Sequence, residues 1–133
     1  MRIVVGFDGS DHGQRALQRA AEMAGEGDQL VVVAAAEPHV RTGITEGSHL
    51  DPSAMQHRRD AVEQAGTFLS ERGIDAEMVE AQGDPGAAIV EVARGADLII
   101  VGTRGLNPMQ RLLLGSVSSK VVHRAECDVL VIR

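Results

Sequence analysis

Residues 96–118 read ADLIIVGTRGLNPMQRLLLGSVS, and this stretch decides how the rest of the chain is interpreted. Its first part, ADLIIVG, has the length and the β-branched content that are typical of a strand buried on both faces. The part that begins at Gly115 can continue as a helix. The stretch therefore predicts a strand, a glycine-containing loop and a helix, which is the repeating unit of an α/β protein.

The loop in this stretch carries glycines at Gly102, Gly105 and Gly115, with Ser116 and Ser118 at its end. Glycine lets backbone N–H groups turn inward and removes the Cβ that would keep a phosphate at a distance. The following helix would add the positive end of its dipole. A strand end, a turn and a helix start would explain the glycines one at a time, but together with the two serines they favour an anion-binding loop.

The spacing of the glycines excludes two common phosphate loops. Nine residues separate Gly105 from Gly115, whereas a Walker loop needs GxxxxGK and a dinucleotide fingerprint needs GxGxxG. Arg104 and Arg111 lie between the glycines, and their charge suits a phosphate. Solvent-facing side chains on a loop are an equal alternative for these two arginines.

Short apolar runs and helical patterns alternate along the whole chain. The predicted strands are residues 3–7, 30–36, 74–81, 97–101 and 128–132. The predicted helices begin at Ser10 or Asp11, Asp51-Pro52, Asp84-Pro85 and Gly115. In the second helix, Arg58 and Arg59 are assigned to a solvated outer face. Alternation of this kind predicts parallel βαβ units in a three-layer α/β/α sandwich, with residues 1–133 forming a single domain.

Asp8 ends the first predicted strand, where open α/β sheets place their ligands. An acceptor-only carboxylate there can take hydrogen bonds from an adenine amino group or a ribose hydroxyl, or help to hold a metal through water. Alternatively, Asp8 merely starts a turn with Gly9. Gly6 interrupts the same strand, and a glycine inside a strand often marks the close approach of another group.

Composition limits the partners and the compartment. The net charge of −6, with no basic run, argues against nucleic acid and anionic membrane as partners. No apolar stretch approaches the ~20 residues that span a bilayer, and no leader pattern precedes the first strand, so we expect a cytoplasmic protein. Cys127 is the only cysteine and is expected to be a small buried or interfacial thiol. The histidines lack ligand spacing, so we expect no metal site and take them as solvated or incidental.

Several motifs together resemble the ATP-binding branch of the universal stress protein family. They are GxxG at 102–105 followed by nine residues and GS at 115–116, FDGS at 7–10, GDP at 83–85 and AECDVLVIR at 125–133. The resemblance spans nearly the whole chain and implies an adenine nucleotide α-hydrolase-like, Rossmann-like sandwich. The family's sheet is five-stranded and parallel in the order 3-2-1-4-5. That order would bring Asp8 and Gly102 to one crevice, because strands one and four are then neighbours where the strand order reverses.

The resemblance also implies a role for each matching residue. Asp8 and Ala35 would flank the nucleoside, and Gly6 would leave room for it. Many relatives carry a larger aliphatic residue where Ala35 stands. Lys120 is expected to be exposed. The residues that would surround the triphosphate are Gly102, Thr103, Gly105, Gly115, Ser116, Val117 and Ser118.

The function that the resemblance implies is that of an ATP-binding regulatory or stress-response protein. Mg²⁺ would come with the phosphates, since the sequence has no dense carboxylate cluster to hold the ion alone. Hydrolysis needs a base that orients water near the γ-phosphate, and no dedicated base is visible beside the loop. We therefore expect at most slow ATP hydrolysis, and a downstream protein partner that the sequence does not identify.

The order 3-2-1-4-5 leaves the fifth strand at an edge of the sheet. Such an edge is a template for pairing, so we expect a homodimer through residues 129–133, although the family often has proline where Asp128 stands. The main alternative is a dimeric interaction protein of the same fold that binds no nucleotide. A receiver domain is disfavoured because Ala81-Gln82-Gly83 stands where its aspartate should be. A flavin carrier is disfavoured because only 2% of the residues are aromatic.

Overall fold

Strands and helices alternate along the chain in the computed structural model, which describes residues 1–34, 52–103 and 114–133. The strands are β1 (Arg2–Phe7), β2 (Gln29–Ala34), β3 (Glu77–Glu80), β4 (Leu98–Gly102) and β5 (Asp128–Ile132). The helices are α1 (Asp11–Met23), α2 (Pro52–Ser70), α3 (Pro85–Val92) and α4 (Ser116–Arg124).

The strands form one parallel sheet in the order β3-β2-β1-β4-β5, so the predicted fold class and strand order are confirmed. In its centre, Val5 of β1 lies opposite Val32 of β2 on one side and opposite Ile100 of β4 on the other. The chain runs outward from β1 through β2 to β3, and then returns to β4 on the opposite side of β1. The strand order therefore reverses between β1 and β4, which is where sheets of this kind open a crevice.

Alternating side chains of the central strands supply two separate hydrophobic cores. Val5 faces one core with Leu17 of α1 and Leu69 of α2, whereas Val4 faces the other core with Ile89 of α3. The strands between these layers read as continuous apolar runs because both of their faces are covered. Burial of each large side chain stabilises the fold by about 1.5–3 kcal/mol, so the cores hold the strand ends in fixed positions.

Side-chain caps start two of the helices, as their sequences predict. The Ser10 hydroxyl accepts a hydrogen bond from the Gly13 N–H at 3.1 Å, and α1 begins at the next residue, Asp11. The Asp84 carboxylate accepts from the Ala87 N–H at 2.8 Å, with Pro85 as the first residue of α3. Both caps lie at the carboxyl edge of the sheet, so they fix how α1 and α3 approach the crevice.

Two details of the prediction are corrected. The third strand is shorter than residues 74–81, because only Glu77–Glu80 pair with β2. Arg58 does not lie on a solvated face: it is 6% exposed. It stands three residues before Ala61 and seven before Ala65, both buried, so it lies on the inward stripe of α2.

Two further observations concern the helices and the single thiol. Within the described residues, no helix is long and apolar enough to cross a membrane. Cys127 is a half-buried free thiol beside the core around Val4. Burial raises the pKa of this thiol, and the neighbouring Asp128 carboxylate raises it further. The thiol is therefore protonated at neutral pH, which suits a packing role.

Candidate functional site

A pocket lies at the carboxyl edge of the sheet, where β1 and β4 separate. It takes residues from both strand ends and from the first turns of α1, α3 and α4, so both helical layers contribute to it. The residues that line it are Gly6, Phe7, Asp8, Ser10, His12, Gly13, Pro85, Ile89, Val101, Gly102, Gly115, Val117 and Ser118. The predicted residues Asp8 and Gly102 thus share one crevice.

The Asp8 carboxylate both lines this pocket and holds the turn into α1. Its Oδ1 accepts hydrogen bonds from the Ser10 N–H at 2.9 Å and from the Ser10 hydroxyl at 2.5 Å. Gly9, between them, has a φ of 82°, which suits glycine. Asp8 therefore both starts a turn and lines the pocket, because one of its carboxylate oxygens fixes the loop while the residue faces the pocket.

Gly102 makes the pocket narrow by letting α1 approach the end of β4. A Cβ on Gly102 would lie 2.5 Å from the carbonyl oxygen of His12 and 2.9 Å from its Cβ. Gly13 has a similar role, since a Cβ there would lie 2.7 Å from the Asp8 Oδ1. These glycines are needed for the close contact between the first turn of α1 and the two strand ends.

Gly6 also lines the pocket, but the space that its missing side chain leaves is occupied by protein. A Cβ on Gly6 would lie 2.7 Å from Cδ1 of Ile89 and 3.3 Å from Cγ1 of Val101. The close approach predicted from a glycine inside a strand is thus made by Ile89 of α3. Gly6 therefore makes room for Ile89 and not directly for a nucleoside.

Thr103 uses its polar groups inside the sheet. Its N–H donates to the Ile132 carbonyl at 2.8 Å, and its hydroxyl lies 3.4 Å from the same oxygen. This hydrogen bond continues the pairing of β4 with β5 by one residue. The backbone N–H of Thr103 is therefore engaged with the edge strand and not directed to a ligand.

The first turn of α4 forms the wall of the pocket opposite α1. Gly115 stands at the N-cap and has no side chain with which to cap the first-turn N–H groups. Val117 and Ser118 line the pocket, and Ser118 is 1% exposed, with its hydroxyl donating to the Gly115 carbonyl at 3.1 Å. Ser116 is exposed at the start of the helix. A helix start of this kind attracts anions through its N–H groups and its dipole.

An ion pair joins α4 to the start of α3 next to this pocket. Lys120 Nζ lies 2.9 Å from the Asp84 Oδ2, and the exposed fraction of the lysine side chain is 32%, so the expectation of an exposed lysine holds only in part. The hydrogen bond from Lys120 lowers the pKa of Asp84, and the bond from the Ala87 N–H lowers it further. The carboxylate thus caps one helix and is charge-paired with the next.

Some predicted residues cannot be placed. Ala35, Arg104, Gly105 and Arg111 lie outside the described residues. Within residues 1–34, 52–103 and 114–133, no group of three or more His, Cys, Asp or Glu side chains is arranged to hold a metal ion.

Sequence reasoning did not assign seven of the pocket residues to the site, namely Phe7, Ser10, His12, Gly13, Pro85, Ile89 and Val101. The prediction takes the histidines as solvated or incidental and not as metal ligands; His12 is not a solvated side chain, because its Nδ1 is buried. A signal was available, since His12 lies one helical turn before the buried Ala16 and only four residues after Asp8. Pro85 was identified only as a helix start, and Ile89 only as a core residue.

The sheet order and the position of the pocket define an α/β fold of the nucleotide-binding type. The chain belongs to the universal stress protein family, whose profile matches residues 1–133. A universal stress protein of Thermus aquaticus is 40% identical over 136 aligned residues, which cover 98% of this chain and 97% of the relative.

Solved structures agree with this assignment. A universal stress protein in complex with cAMP is 28% identical, with a TM-score of 0.74, and the match covers 100% of this chain and 97% of the other. The universal stress protein from Archaeoglobus fulgidus in complex with dAMP is 25% identical, with a TM-score of 0.73, covering 100% of this chain and 98% of the other. Both of these similar proteins hold an adenine nucleotide.

Proposed function

We propose that this chain is a regulatory protein that binds an adenine nucleotide, ATP with Mg²⁺, in the pocket between β1 and β4. The proposal is supported by the family and by the cAMP and dAMP complexes of similar proteins. The observation that carries it is that Asp8 and the first turn of α4 line the same pocket. These two groups suit the two chemically different ends of a nucleotide.

The phosphate end of the ligand would lie at the start of α4. The N–H groups of Val117 and Ser118 belong to a first turn that Gly115 cannot cap, so phosphate oxygens can accept from them. Ser116 would add its hydroxyl at the rim. Mg²⁺ would arrive with the phosphates and be held mainly by their oxygens.

The nucleoside end would lie near Asp8. A carboxylate accepts hydrogen bonds from an amino group or from sugar hydroxyls, and Ser10 holds Asp8 in place while the ligand binds. Phe7 and Val101 add apolar surface to the same pocket. This division places charge at one end and mixed polar and apolar contacts at the other, which matches the chemistry of a nucleotide.

The protein would hold the nucleotide and turn it over slowly at most. Hydrolysis needs a base that orients water at the γ-phosphate. Asp8 would not serve as this base, because it is bonded to Ser10 and would lie at the nucleoside end. The bound state would then be recognised by a downstream protein in the cytoplasm. We also propose that residues 1–133 form one domain.

We further propose that the working form is a homodimer that pairs through Val129–Arg133. β5 stands at the edge of the sheet with β4 on one side only, and residues 129–132 are half-buried. A second copy related by a two-fold axis would extend the sheet and cover this edge.

The binding proposal is tested by adding a negative charge where the phosphate would sit. Ser116→Glu places a carboxylate at the exposed first position of α4, where the helix dipole tolerates it and where it repels phosphate. Val122→Glu adds the same charge on the exposed surface of the same helix, about 9 Å further along its axis. Calorimetric titration with ATP and Mg²⁺ should show at least about tenfold weaker binding for Ser116→Glu only.

Two results would contradict the proposal. Equal ATP affinity in Ser116→Glu and Val122→Glu would remove the phosphate end from α4. No binding by the unmodified protein at millimolar ATP, and no nucleotide found by mass spectrometry after denaturing the purified protein, would favour the dimeric interaction protein that binds no nucleotide.

A further inference from the structure

His12 has a buried polar atom for which the described residues supply no hydrogen-bond partner. Its ring nitrogen Nδ1 is buried and, in the described part of the chain, has no hydrogen-bond partner. A buried polar atom in this state costs about 1–3 kcal/mol, so native proteins seldom keep one without a reason. His12 lies in the first turn of α1, and its position at the pocket wall suggests the reason.

His12 lines the same pocket as the first turn of α4, where the phosphates are proposed to lie. The residue packs against Gly102, since a Cβ on that glycine would lie 2.6 Å from the His12 carbonyl carbon. The same pocket is closed on its other side by Gly115 and Ser118 at the start of α4. An anion held by the first turn of α4 would therefore share the pocket with the imidazole ring of His12.

We propose that His12 is a ligand-contacting residue that donates a hydrogen bond from Nδ1 to a phosphate oxygen of the bound nucleotide. This inference rests on the proposed function and adds a residue to that site. In the tautomer that carries its proton on Nδ1, the ring is a donor, and a bond to a charged oxygen is stronger than one between neutral groups. The contact would make this pocket select nucleotides over nucleosides.

Substitution of His12 separates this role from a packing role. His12→Leu replaces the imidazole ring by an apolar side chain of moderate size and so removes the buried nitrogen. The ligand-free protein should keep or gain thermal stability, because an unpaired polar atom has been removed. His12→Asn places an amide group where the Nδ1 atom stands, so the donor is restored. His123→Leu is the matched control, since His123 is exposed in the last turn of α4 and bonds locally to the Ser119 carbonyl.

The measurement is calorimetric titration of nucleotide-free protein with adenosine, AMP and ATP. His12→Leu should weaken AMP and ATP binding by about tenfold or more and change adenosine binding by less than about twofold. His12→Asn should bind AMP within about threefold of the unmodified protein. His123→Leu should bind all three ligands unchanged. In ¹⁵N spectra of the imidazoles, AMP should move the His12 Nδ1 signal, whereas adenosine should not.

The possible failures are distinguishable. Unchanged AMP affinity in His12→Leu would overturn the inference and leave the proposed nucleotide site standing. Equal losses for adenosine and AMP would also overturn it, because the contact would then not be to phosphate. Absence of AMP and ATP binding by the unmodified protein would remove the proposed function and this inference together.

Discussion

Gly102 and His12 are in such close contact that the end of β4 and the first turn of α1 exclude any side chain between them. The missing Cβ of Gly102 would stand 2.5 Å from the His12 carbonyl oxygen, and backbone atoms cannot move aside as a flexible side chain can. Both residues line the pocket. The position of α1 over the sheet, and with it the shape of the site, depends on the glycine.

The first prediction concerns Gly102→Ala. The added methyl group overlaps the backbone of α1, so we expect a loss of about 1–3 kcal/mol in the free energy of unfolding, together with weaker nucleotide binding. Gly66→Ala is the matched control: this glycine lies inside α2, and an added Cβ would come no closer than 3.8 Å to Met78 Cε. The control should gain about 0.5–1 kcal/mol in urea unfolding. A stable Gly102→Ala protein would contradict the close packing.

A second prediction follows from the contact of Gly6 with Ile89. Gly6→Ala should destabilise the protein by about 1 kcal/mol, less than Gly102→Ala, because the methyl group meets Cδ1 of the buried Ile89, which is the end of a side chain and not backbone. Ile89→Val removes that atom. The double variant should therefore lose less stability than the sum of the two single variants, by about 0.5 kcal/mol or more. If the loss of unfolding free energy in the double variant equals the sum of the losses in the two single variants, the two residues do not compete for space.

The third prediction concerns acid stability through Asp84. Its pKa lies below its ordinary value of 3.8, chiefly because of Lys120, so the charged carboxylate stabilises the folded state above that pH. This stability is lost as the pH falls through the lowered pKa. Asp84→Asn retains a helix cap but has no charge. The advantage of the unmodified protein over Asp84→Asn, below about 1 kcal/mol for so exposed a pair, should shrink on acidification.

Urea unfolding near neutral pH and at a pH below 3.8 measures that advantage. Asp84→Ala serves as a comparison, since it loses the cap as well and should cost about 1 kcal/mol more at either pH. An advantage that stays constant or grows on acidification would show that the ion pair with Lys120 does not stabilise the fold.

The fourth prediction tests the proposed dimer at the edge strand. Thr103 donates to the Ile132 carbonyl, so the polar groups of Ile132 face β4, and those of Val131, one residue earlier, face the free edge. Val131→Pro removes an outward N–H and should yield a monomer in light scattering after gel filtration. Val131→Thr keeps the N–H and the side-chain shape, and should remain a dimer. Equal masses for the two variants would rule out pairing through this edge.

The fold was predictable because its signals are local and repeated. Apolar runs within residues 97–101 and 128–132 indicate strands. Ser10 and Asp84 mark helix starts because their side chains accept hydrogen bonds from first-turn N–H groups. The strand order came from the family resemblance, since alternation alone does not determine which strands are neighbours. The shared crevice of Asp8 and Gly102 follows from that order.

The remaining details depend on contacts between elements, which no local pattern encodes. Arg58 carries a charge and was assigned to the outside, although its spacing from Ala61 and Ala65 places it on the buried stripe. The role of Gly6 depends on where Ile89 of a distant helix comes to rest. The spacing of His12 from Ala16 indicates the inward side of α1, but the burial of its Nδ1 depends on how α1 packs on Gly102.

The most direct test of the central claim is an NMR titration of ¹⁵N-labelled protein with AMP, following every assigned backbone amide. The account predicts that the largest shifts fall on Asp8, Gly102, Val117 and Ser118, which line one pocket from the residue after β1, from β4 and from α4. Shifts confined to the opposite edge of the sheet, around Asp28 and Asp75, would contradict it. A spectrum unchanged at millimolar AMP would do the same.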